Sequence, residues 1–87
     1  MIYAKVKKIA RDTGLSERTL WRRVEELKTE RERYGDRSVI YDGGVVLVNE
    51  LALTDYLFYR ERLKDTNLRK SVPPYSPRSW AKERGQE

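Results

Sequence analysis

Apolar residues recur at helical spacing along the first third of the chain. Tyr3, Val6, Ile9 and Ala10 share one face of a helix predicted over residues 3–13, and Lys5, Lys7, Lys8 and Arg11 take the other. Gly14 closes it, since glycine accepts the left-handed conformation that ends a helix. Ser16 is a good N-cap for a second helix, with Glu17 in its first turn favourably placed near the helix dipole. Leu20, Val24 and Leu27 form its buried stripe. No breaker follows before Gly35, so the pattern predicts an overhang through the charged run Lys28 to Tyr34, with many possible i,i+4 pairs. The run Arg37 to Val48 then carries the strongest strand signal. Its β-branched and aromatic residues flank Asp42-Gly43-Gly44, which predicts a two-stranded hairpin turning on either Asp42-Gly43 or Gly43-Gly44. Val45 to Val48 are apolar without alternation.

A third helix is predicted from about Asn49 to Lys64, with Leu53, Tyr56, Leu57 and Phe58 inward. Leu51, Tyr59 and Leu63 widen its apolar stripe beyond what one small contact needs. After Asp65 the periodicity dissolves. Pro73, Pro74 and Pro77 then predict a basic tail over residues 66–87 that is extended or disordered and mobile. The fold class that follows is α+β, mainly α, with a single domain over residues 1–65.

The segment Val6 to Leu27 reads as a helix-turn-helix. Two helices that cross at roughly 100–120° need a small residue at closest approach and a permissive residue at the corner, places that Ala10 and Gly14 fill. The second helix then turns Ser16, Glu17, Arg18, Thr19, Trp21, Arg22 and Arg23 outward, a surface of the width and chemistry that a DNA major groove admits.

Composition sharpens this reading. The chain has 87 residues, no cysteine and no histidine, so thiolate sites, the usual zinc ligand and the commonest general base are all missing. No Asp/Glu cluster has convincing spacing, and a non-enzymatic role without cofactor or metal is expected. The six tyrosines suit packing better than nucleophilic attack on a phosphodiester, which would require an accompanying Arg-His-Arg cluster. The net charge of +5 is uneven. Residues 1–33 hold ten basic and six acidic residues, 34–65 four and six, and 66–87 five and two. Two basic ends around a mildly acidic middle suit a polyanionic partner. No apolar run reaches membrane-spanning length and the N-terminus has no apolar leader core, so a cytoplasmic, nucleoid- or plasmid-associated protein is expected.

The stretch Leu15 to Arg22 follows a pattern of hydrophobic, Ser, two variable residues, Thr, hydrophobic, aromatic, Arg. It resembles the recognition helices of excisionase-like, MerR-type and resolvase-type DNA-binding domains, and VIYDGGVVLVNELALTDYL resembles the excisionase-like hairpin and following helix. The resemblance covers residues 3 to about 58 and implies a small winged helix-turn-helix. Two features depart from it: an Asp-Gly-Gly wing tip without basic residues, and the overhang after Leu27.

The expected partner is double-stranded DNA, read in the major groove by residues 16–27. Arg18 and Arg22 suit guanine or phosphate contacts; Arg23 suits phosphate or lies over the core. Thr19 suits a thymine methyl, and Trp21 either the sugar-phosphate backbone or a wedge against the hairpin. Ser16 combines capping with phosphate contact. Lys7, Lys8 and Arg37 suit backbone phosphates, and Gly43 offers its N–H at the tip. The role expected is that of a transcriptional regulator or a recombination-directionality factor of a phage or plasmid. The alternatives are a plasmid partition protein that spreads along DNA and a protein-interaction adaptor. A homodimer or cooperative oligomer is expected through Leu51, Tyr59 and Leu63, and a protein partner through Tyr75 and Trp80 of the tail.

Overall fold

A computed structural model describes residues 3–83. The elements are β1 (Tyr3–Ala4), α1 (Val6–Thr13), α2 (Glu17–Thr29), a one-turn α3 (Arg31–Tyr34), β2 (Val39–Asp42), β3 (Val45–Asn49), α4 (Glu50–Lys64), a 3-10 turn (Leu68–Ser71) and α5 (Pro77–Glu83). The protein is mainly helical, with one antiparallel sheet of order β1-β3-β2.

Local chemistry sets the boundaries. Gly14 adopts φ 79°, and its N–H donates to the Ala10 carbonyl at 2.9 Å, closing α1. The Ser16 hydroxyl accepts the Thr19 N–H at 3.1 Å and opens α2. Asn49 ends β3 and caps α4 at once: its side-chain oxygen accepts the N–H groups of Leu51 and Ala52 at 3.0 and 3.1 Å. The sheet therefore passes into α4 without a loop.

The helices and one sheet face enclose a single core. Val6 and Ile9 of α1, Leu20, Val24 and Leu27 of α2, Val39 and Val48 of the sheet, and Leu53, Tyr56 and Leu63 of α4 are buried together.

Four expectations are corrected. Tyr3 does not begin the first helix: Tyr3 and Ala4 pair with Asn49 and Val48, adding a third strand to the hairpin. The Tyr3 hydroxyl anchors it by donating to the Arg37 carbonyl at 2.7 Å. The second helix does not run on to Tyr34. It stops at Thr29, Glu30 leaves helical geometry, and the bend lets both Arg33 and Tyr34 reach Asp55 on α4. Within α4, Leu51 and Leu63 are buried and Tyr59 packs against the core, so these three are interior residues of the chain itself, whereas Phe58 points out and is 70% exposed.

The fourth correction concerns the tail, which folds back on α4. The Asp65 carboxylate accepts the N–H groups of Asn67 and Leu68, and the Arg69 guanidinium donates to the Leu63 carbonyl and pairs with Glu30. Val72 and Tyr75 pack on the core, and the Trp80 indole N–H donates to Asp55 at 2.7 Å.

Candidate nucleic-acid interface

Because Leu20, Val24 and Leu27 point inward, the side of α2 that faces away from the core is formed by Arg18, Arg22 and Glu25. Glu25 pairs with Lys28 at 3.0 Å. Arg18 and Arg22 are exposed and enter no ion pair among the described residues. Two long cations, four residues apart, thus stand side by side on an open helix face.

The hairpin lies along one flank of this helix. The register pairs Asp42 with Val45, which settles the turn as Gly43-Gly44, both at positive φ (54° and 84°) as a type I′ turn demands. Gly44, Val45 and Val46 line a cavity of about 250 Å³ together with Lys5, Lys7, Glu17 and Trp21. Trp21 is 41% exposed, a partial wedge between helix and hairpin. Further along, Lys28 donates to the Tyr41 hydroxyl at 2.6 Å and sits over its ring, tying β2 to the same flank.

The other flank is the seam between α2 and α4. Glu26 accepts from Arg23 at 2.8 Å, from Arg60 Nε at 2.8 Å and from the Tyr56 hydroxyl at 2.8 Å, with Lys64 Nζ at 3.3 Å. Arg60 foremost, with the Tyr56 hydroxyl and Lys64, holds the Glu26 carboxyl down to about 2, against an opposing effect of partial burial. The Tyr56 hydroxyl shifts the opposite way, raised by burial and by the anion beside it.

Of the residues singled out from sequence, Lys7, Glu17 and Trp21 line one cavity with Gly44, which neighbours Gly43 in the turn, and Arg18 and Arg22 are exposed on α2 next to Glu17 and Trp21 in the chain. Thr19 lies on the α4 side, half-buried, where its hydroxyl takes part in the cap by accepting from Ser16 at 2.9 Å. Arg23 is committed to Glu26. Lys8 turns away toward Asp12 at 2.8 Å and Glu50 at 3.6 Å. Arg37 precedes β2 and so stands at the base of the hairpin, at the far end from the tip.

Sequence reasoning passed over Arg60 and Lys64. The signal was present: they follow Tyr56 by four and eight residues, on the stripe that brings Tyr56 against α2. Among the described residues no Asp/Glu cluster is arranged to hold a metal ion, and no helix is long and apolar enough to cross a membrane. No protein-family model, characterised protein or solved structure matches this chain significantly.

Proposed function

We propose that the chain is a sequence-specific DNA-binding protein of the winged helix-turn-helix type, with α2 entering the major groove and the Gly43-Gly44 hairpin serving as the wing. The observation that carries this reading is the outer face of α2. Arg18 and Arg22 stand exposed and, among the described residues, without an ion-pair partner on a helix whose opposite side is fully buried, and Lys5, Lys7 and the hairpin tip border it. An arginine at such a position binds guanine O6 and N7 together, or a phosphate. The protein acts, on this reading, by occupying or shaping a site, as a transcriptional regulator or a recombination-directionality factor.

Arg18→Ala and Arg22→Ala are each expected to weaken binding to a selected site by about 1–3 kcal/mol if they contact bases, with much smaller effects on random duplex. Selection from a random-sequence duplex pool followed by anisotropy titration measures this. Equal affinity of wild type and both variants would take α2 out of the interface. A footprint on the selected DNA then separates roles: one short protected site fits a regulator, a patch of repeats a directionality factor, and a footprint that lengthens with protein concentration a spreading partition protein.

A further inference from the structure

The geometry points to a second DNA-contact surface whose α4 half the helix-turn-helix reading does not include: the α2–α4 seam, where Arg60 and Lys64 join Arg23 around Glu26 and would meet the phosphates of one strand. The inference rests on the function proposed above and adds a place and a chemistry to it. Three cations share the Glu26 carboxylate, and the neighbouring Glu61, which also acts on Arg60, is matched by Arg62 on the same surface, so the seam keeps an excess of two positive charges. If its only purpose were to neutralise Glu26, Arg60 would suffice: its Nε lies at 2.8 Å and its Nη2 at 3.5 Å, gripping both carboxylate oxygens. The surplus is presented to solvent, since the side chain of Lys64 is 48% exposed and those of Arg60 and Arg23 are 27% and 22% exposed.

Position matters as much as charge. Glu26 sits on α2 between the outward Arg22 and the α4 flank, so the seam borders the proposed reading face on the side opposite Lys5, Lys7 and the hairpin. A B-form major groove is about 12 Å wide and bounded by two phosphate ridges. A helix lying in it needs cations on both flanks to engage both ridges, and this fold has them. Glu26 also fixes the geometry: its oxygens hold the long side chains of Arg60 and Arg23 in place, so less rotamer freedom is lost on binding. A duplex phosphate backbone is the partner that fits, because the cations run along a helix edge beside the proposed reading face instead of closing around a pocket.

The test is the salt dependence of binding to random-sequence duplex DNA. Lys64→Gln removes a half-exposed charge whose pairing is the loosest of the three, so the fold should hold; Arg60→Gln/Lys64→Gln removes two charges, and Lys64→Arg keeps the charge at that position. Each lost phosphate contact is expected to flatten the slope of log K against log salt by about 0.9. Lys64→Arg should keep the wild-type slope, and random and selected DNA should weaken by the same factor. Folded Lys64→Gln with an unchanged slope, alongside a wild type that binds, would overturn the seam as a contact and leave the α2 reading standing. A wild type that fails to bind duplex DNA even at low salt would instead overturn the α2 reading and this inference together.

Discussion

Two carboxylates on facing helices show how environment decides the use of one side-chain type. Asp55 is 1% exposed and receives two hydrogen bonds from the Arg33 guanidinium at 2.8 and 3.2 Å, one from the Tyr34 hydroxyl and one from the Trp80 indole. Both oxygens are occupied by three donor residues from two separate stretches of chain, α3 and α5, which is what a buried anion requires to be tolerated. Burial and the adjacent Asp55 raise the Tyr34 hydroxyl, so it stays a donor throughout the accessible pH range. Glu26 is a quarter exposed, and its carboxyl falls from 4.5 to about 2 in the folded state. Its pairing therefore stabilises the fold fully above pH 4.5, and that contribution is lost as pH falls from 4.5 toward 2. Allowing for solvent screening, the expected loss is about 1–2 kcal/mol. Urea denaturation at pH 5.5 and 2.5 should show wild type losing more stability than Glu26→Gln. Parallel losses in the two proteins would mean that the seam ion pairs contribute nothing to the fold.

At the scale of elements, the hairpin isolates a conformational effect from a steric one. A Cβ at Gly43 or Gly44 would meet nothing within 4 Å, yet both residues need positive φ. Gly44→Val is accordingly expected to cost about 1–2 kcal/mol from backbone geometry alone, and Gly43→Asn much less, because Asn tolerates the left-handed region. Chemical denaturation of the two variants checks the ranking; equal costs would point to lost packing or hydrogen bonding in place of backbone strain. The same hairpin shows what was legible in advance. Asp-Gly-Gly between β-branched runs announced the turn, and Gly14, Ser16 and the Leu20–Val24–Leu27 stripe announced α1, α2 and the corner between them. The edge strand was not legible, because two residues carry no period and Tyr3–Ala4 is held by pairing with Asn49 and Val48, distant in sequence. The break at Glu30 was hidden for a similar reason: its cause, Asp55 drawing in Arg33 and Tyr34, lies more than twenty residues away. Part of the tail was legible but misread. Ser76-Pro77 is a helix start, a capping hydroxyl followed by proline at the first helical position, where its missing N–H costs nothing.

The whole molecule closes through that tail, which explains why the wide apolar stripe of α4 is no free interface. Leu63 is 4% exposed, and Tyr34 stands edge-on to Tyr56 at 6.4 Å and to Tyr75 at 5.0 Å. Burial pushes the Tyr75 hydroxyl up to about 12, so it resists ionisation well beyond the ordinary tyrosine range. Trp80 stacks edge-on with Phe58 at 5.6 Å while its N–H donates to Asp55 Oδ1. A chain cut after residue 65 loses the Tyr34–Tyr75, Phe58–Trp80 and Trp80–Asp55 contacts. It exposes Leu63 and the Tyr34 ring, each worth about 1.5–3 kcal/mol when fully covered, and strips one donor from a buried anion. Truncation is thus expected to lower stability by about 3 kcal/mol or more, a large share of what so small a domain possesses. Trp80→Phe keeps an aromatic ring in place but deletes the N–H and the smaller ring of the indole, so its expected cost is smaller than that of truncation, about 1–2 kcal/mol. Far-UV circular dichroism through a urea titration ranks the three proteins: wild type, then Trp80→Phe, then the truncated chain. A truncated chain with the wild-type midpoint would make residues 66–87 a passenger on a self-sufficient core and return Leu51, Tyr59 and Leu63 to consideration as a surface for a second copy.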